Sequence, residues 1–386
     1  MTDLKTEKEQ ERICSVANLL KQANKPIRIL GAIAWNPQIK ADFFAHQAQK
    51  LPEVEYSSFD DSPIIEIIRE ARKHIFPISS RVDMWLETQV NAIEVGARML
   101  ANVGKPSFFT FCRQAYGEPT TRLRYDDQTP LQLAESVRDR VARLNYLKID
   151  KQIRIRRDAR FTEQDGIQLI NHEAFIHVLT SINGKKQTKL PILGEGHVGT
   201  TATQEGLAVF AEVISHSMEL NRFQRLADRV FAIQMAIEGA DFLQVYHYFL
   251  ERTQGNEDQS FESARRVFRG GIITGGAPFT KDVVYLFGLL RVGGAINAIF
   301  SAGRSDCLNL LFCGKLDVMD LPALAELTSL GLCQLPQYLP PWIIDPRSLM
   351  AFLTYSTFMN NVDLIKHTEV AERLLADTPI ITHLPK

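Results

Sequence analysis

His172, Glu173 and His177 stand as H-E-x-x-x-H inside "NHEAFIHVL" (171–179). Two imidazoles can ligate one ion, and a carboxylate beside the first can take a proton from water at that ion. In the shorter H-E-x-x-H spacing the two histidines lie about 40° apart on one helix face. A five-residue step gives about 140°, which a regular helix cannot aim at a single ion. One extra residue in the turn, a π-bulge, repairs the angle, and such bulges favour functional sites. A catalytic zinc site also needs a third protein ligand and a position for water. Glu205, in "QEGLA" (204–208), is the candidate. The plainer alternatives are a surface His172, a satisfied core His177, and a Glu205 that complements a helix start.

Glu205 is preceded by "GEGHVG" (194–199), where Gly194, Gly196 and Gly199 spell G-x-G-x-x-G. A dinucleotide loop of that form joins a strand to a helix inside a βαβ unit. Here the element before it reads as a helix, and helix follows helix after it. The pattern therefore predicts no nucleotide cofactor. The glycines would instead permit close approach of a substrate backbone. His197 in this loop is a candidate donor to substrate or oxyanion, and an exposed loop histidine is the bland alternative.

The elements that must position these residues follow from periodicity. "PIRILGAIAW" (26–35) reads as a strand, and 63–75, 82–104 and 130–147 read as helices. "QIRIRRDARF" (152–161) alternates Ile with cations, as a half-buried strand does. "TEQD" (162–165) opens the histidine helix with a capping box, and Asn183-Gly184 closes it. A loop of about 16 residues, long enough to suggest function, leads to a second helix near Thr201–Thr203. Residues 223–252 read as one long amphipathic helix. The apolar run 283–303 contains Arg291 and reads as two buried segments, not a membrane span.

The chain has 386 residues, with 44 basic against 45 acidic and a net charge of −1. That balance exerts no global pull on nucleic acid or an anionic membrane, so neither partner is expected. Five scattered cysteines without C-x-x-C argue against a disulfide framework, and a reducing cytoplasm is the expected compartment. The hydrophilic start lacks the apolar stretch of a secretory signal.

"QEGLA" after "NHEAFIHVL" resembles the bacterial QEGLA-motif proteins, often labelled flavohaemoglobin expression-modulating. That family is related to the microtubule-associated tyrosine carboxypeptidases of animals, which are H-E-x-x-x-H zinc enzymes. "RVFRGG" (266–271), "PFTKDVVYLFG" (278–288) and "TFCRQAYGEP" (110–119) carry the likeness further, over about residues 80–300. The resemblance implies Zn2+ held by His172, His177 and Glu205, with Glu173 as general base. It implies a peptide or protein C-terminus as substrate. Lys281, Arg266 or Arg269 would meet the terminal carboxylate, and Tyr285 or His197 would donate to the oxyanion. Taken singly, each of these basic residues reads first as a solvated surface group, and Tyr285 reads equally as a core tyrosine.

The expected fold is α/β and predominantly helical, with a zincin-like core. An N-terminal α/β lobe (1–120), a catalytic core (121–255) and a C-terminal helical lobe (256–386) would form the cleft. The expected activity is that of a zinc metallopeptidase, a carboxypeptidase working through zinc-activated water. The rival reading is a non-catalytic regulatory or binding protein with a structural zinc site, closed by His197 or His216 as fourth ligand.

Overall fold

The computed structural model describes residues 2–76, 80–122, 129–144 and 163–361. They form helices and turns, with no strand among the described residues. The α/β expectation is therefore corrected where it can be examined. The segment 26–35 holds a short helix, Ile29–Ala32, in place of a strand. Its apolar residues obey the helical step: Ile33 is buried and Ile29 packs beside it, while Leu30 faces out. A short apolar run cannot by itself distinguish the two periods. The strand expected at 152–161 and the "TEQD" capping box lie outside the described residues.

The chain divides into two compact units, Met1–Pro340 and Pro341–Lys386. In the second, helices Pro341–Ile344 and Arg347–Asn361 pack on each other. The first is built around helix pairs. Arg81–Ala101 runs through its middle, with Trp85, Leu86, Val90, Ile93 and Met99 buried at helical spacing. Ser80 caps it by accepting from the Asp83 amide, which satisfies a free N–H of its first turn. An aromatic cluster of Trp35, Phe43, Phe242, Tyr246, Phe261 and Phe268 packs a second region.

The long helix expected at 223–252 is two helices, Leu220–Ile237 and Phe242–Arg252, parted at Gly239. Gly239 has φ +104°, a conformation that a side chain disfavours. Asp241 then starts the second helix with a reciprocal cap to Gln244.

The run 283–303 departs in the opposite sense: it is one helix, Val284–Ser301, where two segments are expected from the sequence. Lys281–Ser301 is long and apolar enough to cross a membrane by length and composition alone. Its buried residues, Val284, Tyr285, Leu286, Gly288, Val292, Ile296 and Ile299, lie on the face that meets the rest of the unit. Its main partner is helix Thr201–Ile214, which carries Glu205. The two cross at Gly206 and Gly288. A Cβ on Gly206 would fall 2.2 Å from the Gly288 oxygen, and one on Gly288 would fall 2.2 Å from the Ala202 oxygen. Backbone touches backbone there, so the two helices are locked one residue from Glu205.

Candidate metal centre

The histidine helix is continuous through Glu163–Leu169, Ile170–Val178 and Leu179–Lys185, and its middle segment is a π-helix. The Leu179 amide donates to the Ala174 carbonyl, five residues back. The wider turn takes in the extra residue that a five-residue spacing requires, so His172 and His177 come onto one face. Their ring centroids are 5.0 Å apart and nearly perpendicular. The expected end of this helix at Asn183-Gly184 shifts to Lys185. Gly184 is needed for close packing and not for a cap, since a Cβ there would sit 2.0 Å from the Leu193 oxygen.

Glu205 faces both imidazoles. Its Oε2 lies 3.6 Å from His172 Nε2 and 3.7 Å from His177 Nε2. The donor atoms of the three residues all fall within 4.8 Å of one another. A tetrahedral zinc bonded at about 2.0–2.1 Å sets its ligand atoms about 3.4 Å apart. Two imidazole nitrogens and one carboxylate oxygen at this separation therefore fit such an ion, in both geometry and donor chemistry. Neither His197 nor His216 belongs to the group.

The other atoms of these ligands are held as well. His172 Nδ1 donates to Glu212 Oε1 at 2.6 Å, which aims Nε2 at Glu205. Glu212 is fully buried and also accepts from Gln168 at 3.0 Å and twice from Arg222 at 3.2 Å. A carboxylate behind a metal-binding imidazole fixes its tautomer and raises its basicity. Lys281 Nζ donates to Glu205 Oε1 at 2.7 Å, leaving Oε2 for the histidines. Burial opposes the Glu205 charge, but Lys281 and the two imidazoles hold its carboxyl well below the ordinary range. Burial likewise opposes charge on His172, but Glu205 and Glu212 together lift it to about 9.

Lys315 approaches from another segment and donates at 2.8 Å to both the His177 carbonyl and Gln204 Oε1. Burial lowers it to about 8, against the pull of Glu205 and Glu173. Glu173 itself is exposed, on the open side of the π-helix.

The remaining candidates divide. Tyr285 is buried, with Lys281 Nζ 5.3 Å above its ring and Arg266 3.5 Å from its hydroxyl. Arg266 is held bidentately by Asp282 at 2.7 and 2.8 Å. Arg229, 3.6 Å from the same carboxylate, also lies over the Tyr285 ring. Arg269 stacks on Phe279, and its buried Nε has no acceptor among the described residues. Three guanidiniums thus gather near one carboxylate. Burial and the neighbouring Arg266 push Arg229 down to about 10 and lower Arg269.

His197 stands elsewhere. Its Nε2 donates to Gln89 Oε1 at 2.8 Å, and its Nδ1 accepts from the Gly199 amide at 3.2 Å. Burial lowers its pKa to about 4, so it is a neutral cap with both nitrogens engaged. His216 is exposed, just past the end of the Glu205 helix.

Glu212, Arg222, Lys315, Arg229 and Asp282 escape the sequence reading. Only Glu212 leaves a signal there, lying seven residues beyond Glu205 and so on the same helix face.

This is a helical protein that brings two histidines and a glutamate together in a group able to hold a metal ion. The chain belongs to the family of microtubule-associated tyrosine carboxypeptidases, which it matches over residues 41–150 and 146–361. No individually curated protein matches it.

Proposed function

We propose that the chain is a zinc metallopeptidase of the carboxypeptidase type, acting on the C-terminus of a peptide or protein. The observation that carries this reading is the three-donor group His172, His177 and Glu205, set on a π-helix and backed by Glu212. Zinc held there would supply Lewis acidity and a water molecule of lowered pKa. Glu173 follows His172 directly, is exposed and makes no ion pair within bonding distance among the described residues, so it would take the proton from the attacking water and pass it to the departing amine. Tyr285, wedged between Lys281 and Arg266, donates its hydroxyl proton toward the developing oxyanion.

The choice of an exopeptidase rests on charge. Arg229, Arg266 and Arg269 outnumber Asp282, and Tyr285 joins that cluster to Lys281 and Glu205. A half-buried surplus of guanidinium attracts a carboxylate, as the end of a peptide provides. Arg269, with an unmatched Nε, is its first partner in this reading. Lys281 is assigned to Glu205 and not to substrate, because its Nζ is already committed there.

Elemental mass spectrometry of the wild type, Glu205→Ala and Glu173→Gln tests the centre. The reading expects near-stoichiometric zinc in the first and last and loss in Glu205→Ala. Peptide-library profiling by mass spectrometry should then show removal of the last residue, abolished in Glu173→Gln. A zinc-free wild type after zinc-replete expression would overturn it.

A further inference from the structure

A cavity of about 550 Å³ lies between helix Arg81–Ala101 and the turn Val318–Asp320, away from the metal donors, none of which lines it. It is a small-molecule volume. Much of its polar lining is already paired off. Arg291 holds Asp317 bidentately, and His197 is neutral and bonded to Gln89.

Two charges are left over. Asp320, only 4% exposed, accepts the Asp317 amide at 2.9 Å and a long contact from Gln89 at 3.5 Å. No cation lies within ion-pair distance of it among the described residues. Burial and the neighbouring Asp317 accordingly raise its carboxyl to about 7. Beside it the buried Trp85 Nε1 falls short of full hydrogen-bond geometry but leans on the Asp320 carboxyl, which it helps to stabilise as the anion. At the exposed end Arg81 has no carboxylate partner among the described residues. Trp85, Met84 and Met319 supply the apolar wall.

A buried carboxyl with no cation in ion-pair distance and an exposed guanidinium with no carboxylate partner among the described residues, both lining one cavity, are together complementary to a zwitterion. A simple amine would leave Arg81 unmet, and a simple acid would offer nothing to Asp320. We propose that this cavity binds a free α-amino acid with an apolar or aromatic side chain. Its ammonium meets Asp320, its carboxylate meets Arg81, and its side chain lies against Trp85, Met84 and Met319. That such an amino acid is also the one released by the enzyme rests on the function proposed above; its binding does not. The cavity adjoins the Glu205 helix through Asp317, which accepts from Thr203 at 3.0 Å, but shares no residue with the metal centre.

Isothermal titration calorimetry on the full chain decides this, with L-phenylalanine, phenethylamine and 3-phenylpropionate as probes. L-Phenylalanine should bind, and each half-molecule should bind at least tenfold more weakly. Asp320→Asn should weaken L-phenylalanine at least tenfold, and Arg81→Ala, at an exposed position that folding tolerates, at least threefold. Glu205→Ala should bind as the wild type does, which separates this cavity from the metal centre and from the fate of the peptidase reading. Absence of heat at millimolar L-phenylalanine overturns the proposal. So does binding that is lost in Glu205→Ala and kept in Asp320→Asn, or affinity indifferent to both Asp320 and Arg81.

Discussion

Glu212→Gln is the most informative change at the metal centre, because it removes one charge and almost no volume. The wild-type carboxylate serves four donors: His172 at 2.6 Å, Gln168 at 3.0 Å and Arg222 twice at 3.2 Å. An amide offers one acceptor oxygen, so its NH2 must face Gln168 or Arg222, both donors. Two effects follow, and they can be separated. Losing the carboxylate behind a metal-binding imidazole costs about 10–100-fold in metal affinity, or about 1.4–2.7 kcal/mol. Stranding Arg222, whose side chain is 12% exposed, costs stability on the order of 3 kcal/mol. Competition against a chromophoric chelator, run well below the melting transition, reads the first effect; thermal unfolding of the metal-free protein reads the second. Arg222→Met is the control, losing stability while His172 keeps its partner, and its zinc affinity should stay within about threefold of wild type. Zinc affinity of Glu212→Gln within twofold of wild type would show that Glu212 is only part of the packing, and the reasoning would fail.

Lys281→Met should lower zinc affinity and kcat together with little change in KM, by direct titration and steady-state kinetics; a rise in KM alone would return Lys281 to substrate binding. Gly288→Ala forces a Cβ to within 2.2 Å of the Ala202 oxygen, and should destabilise the fold by about 3 kcal/mol or more in chemical denaturation. Asp320 makes stability fall with rising pH. Its folded pKa of about 7 lies above the ordinary 3.8, so its contribution is full below pH 4 and lost as pH rises through 7. The upper bound of that loss is about 4 kcal/mol, and Asp320→Asn should flatten this part of the stability profile; an unchanged profile counts against an uncompensated buried carboxyl.

The grouping of His172, His177 and Glu205 into a set able to hold a metal was legible because metal chemistry restricts residue type and spacing so tightly. His172, His177 and Glu205 are named by the sequence alone, and the H-E-x-x-x-H step even dictates the π-turn found at Ile170–Val178. Their supports were not legible in the same way. Lys315 reaches the His177 carbonyl from 138 residues away, and no local pattern marks a lysine for that contact. His197 shows the converse: a histidine in a glycine-rich loop suggests chemistry, but in the fold Gln89 and Gly199 occupy both of its nitrogens. The strand expected at 26–35 failed for a simpler reason, because Ile29 and Ile33 satisfy a helical step as well as an alternating one.

The π-helix also explains why so much hydrogen bonding gathers behind the site. A wide turn is rarely the preferred state of a backbone, so it persists where surrounding contacts select it. Two groups do so here at its C-terminal end. Thr180 Oγ donates to the Ile176 carbonyl at 2.6 Å, and Lys315 holds the next carbonyl, that of His177, at 2.8 Å. Lys315 also grips Gln204, the neighbour of Glu205, so one ammonium ties the turn carrying the second histidine to the helix carrying the glutamate. The extra residue that brings two histidines onto one face is thus fixed by the same contacts that set their distance to Glu205. Spacing, turn type and Glu205 form one mechanical unit, and weakening any one of them should loosen the other two.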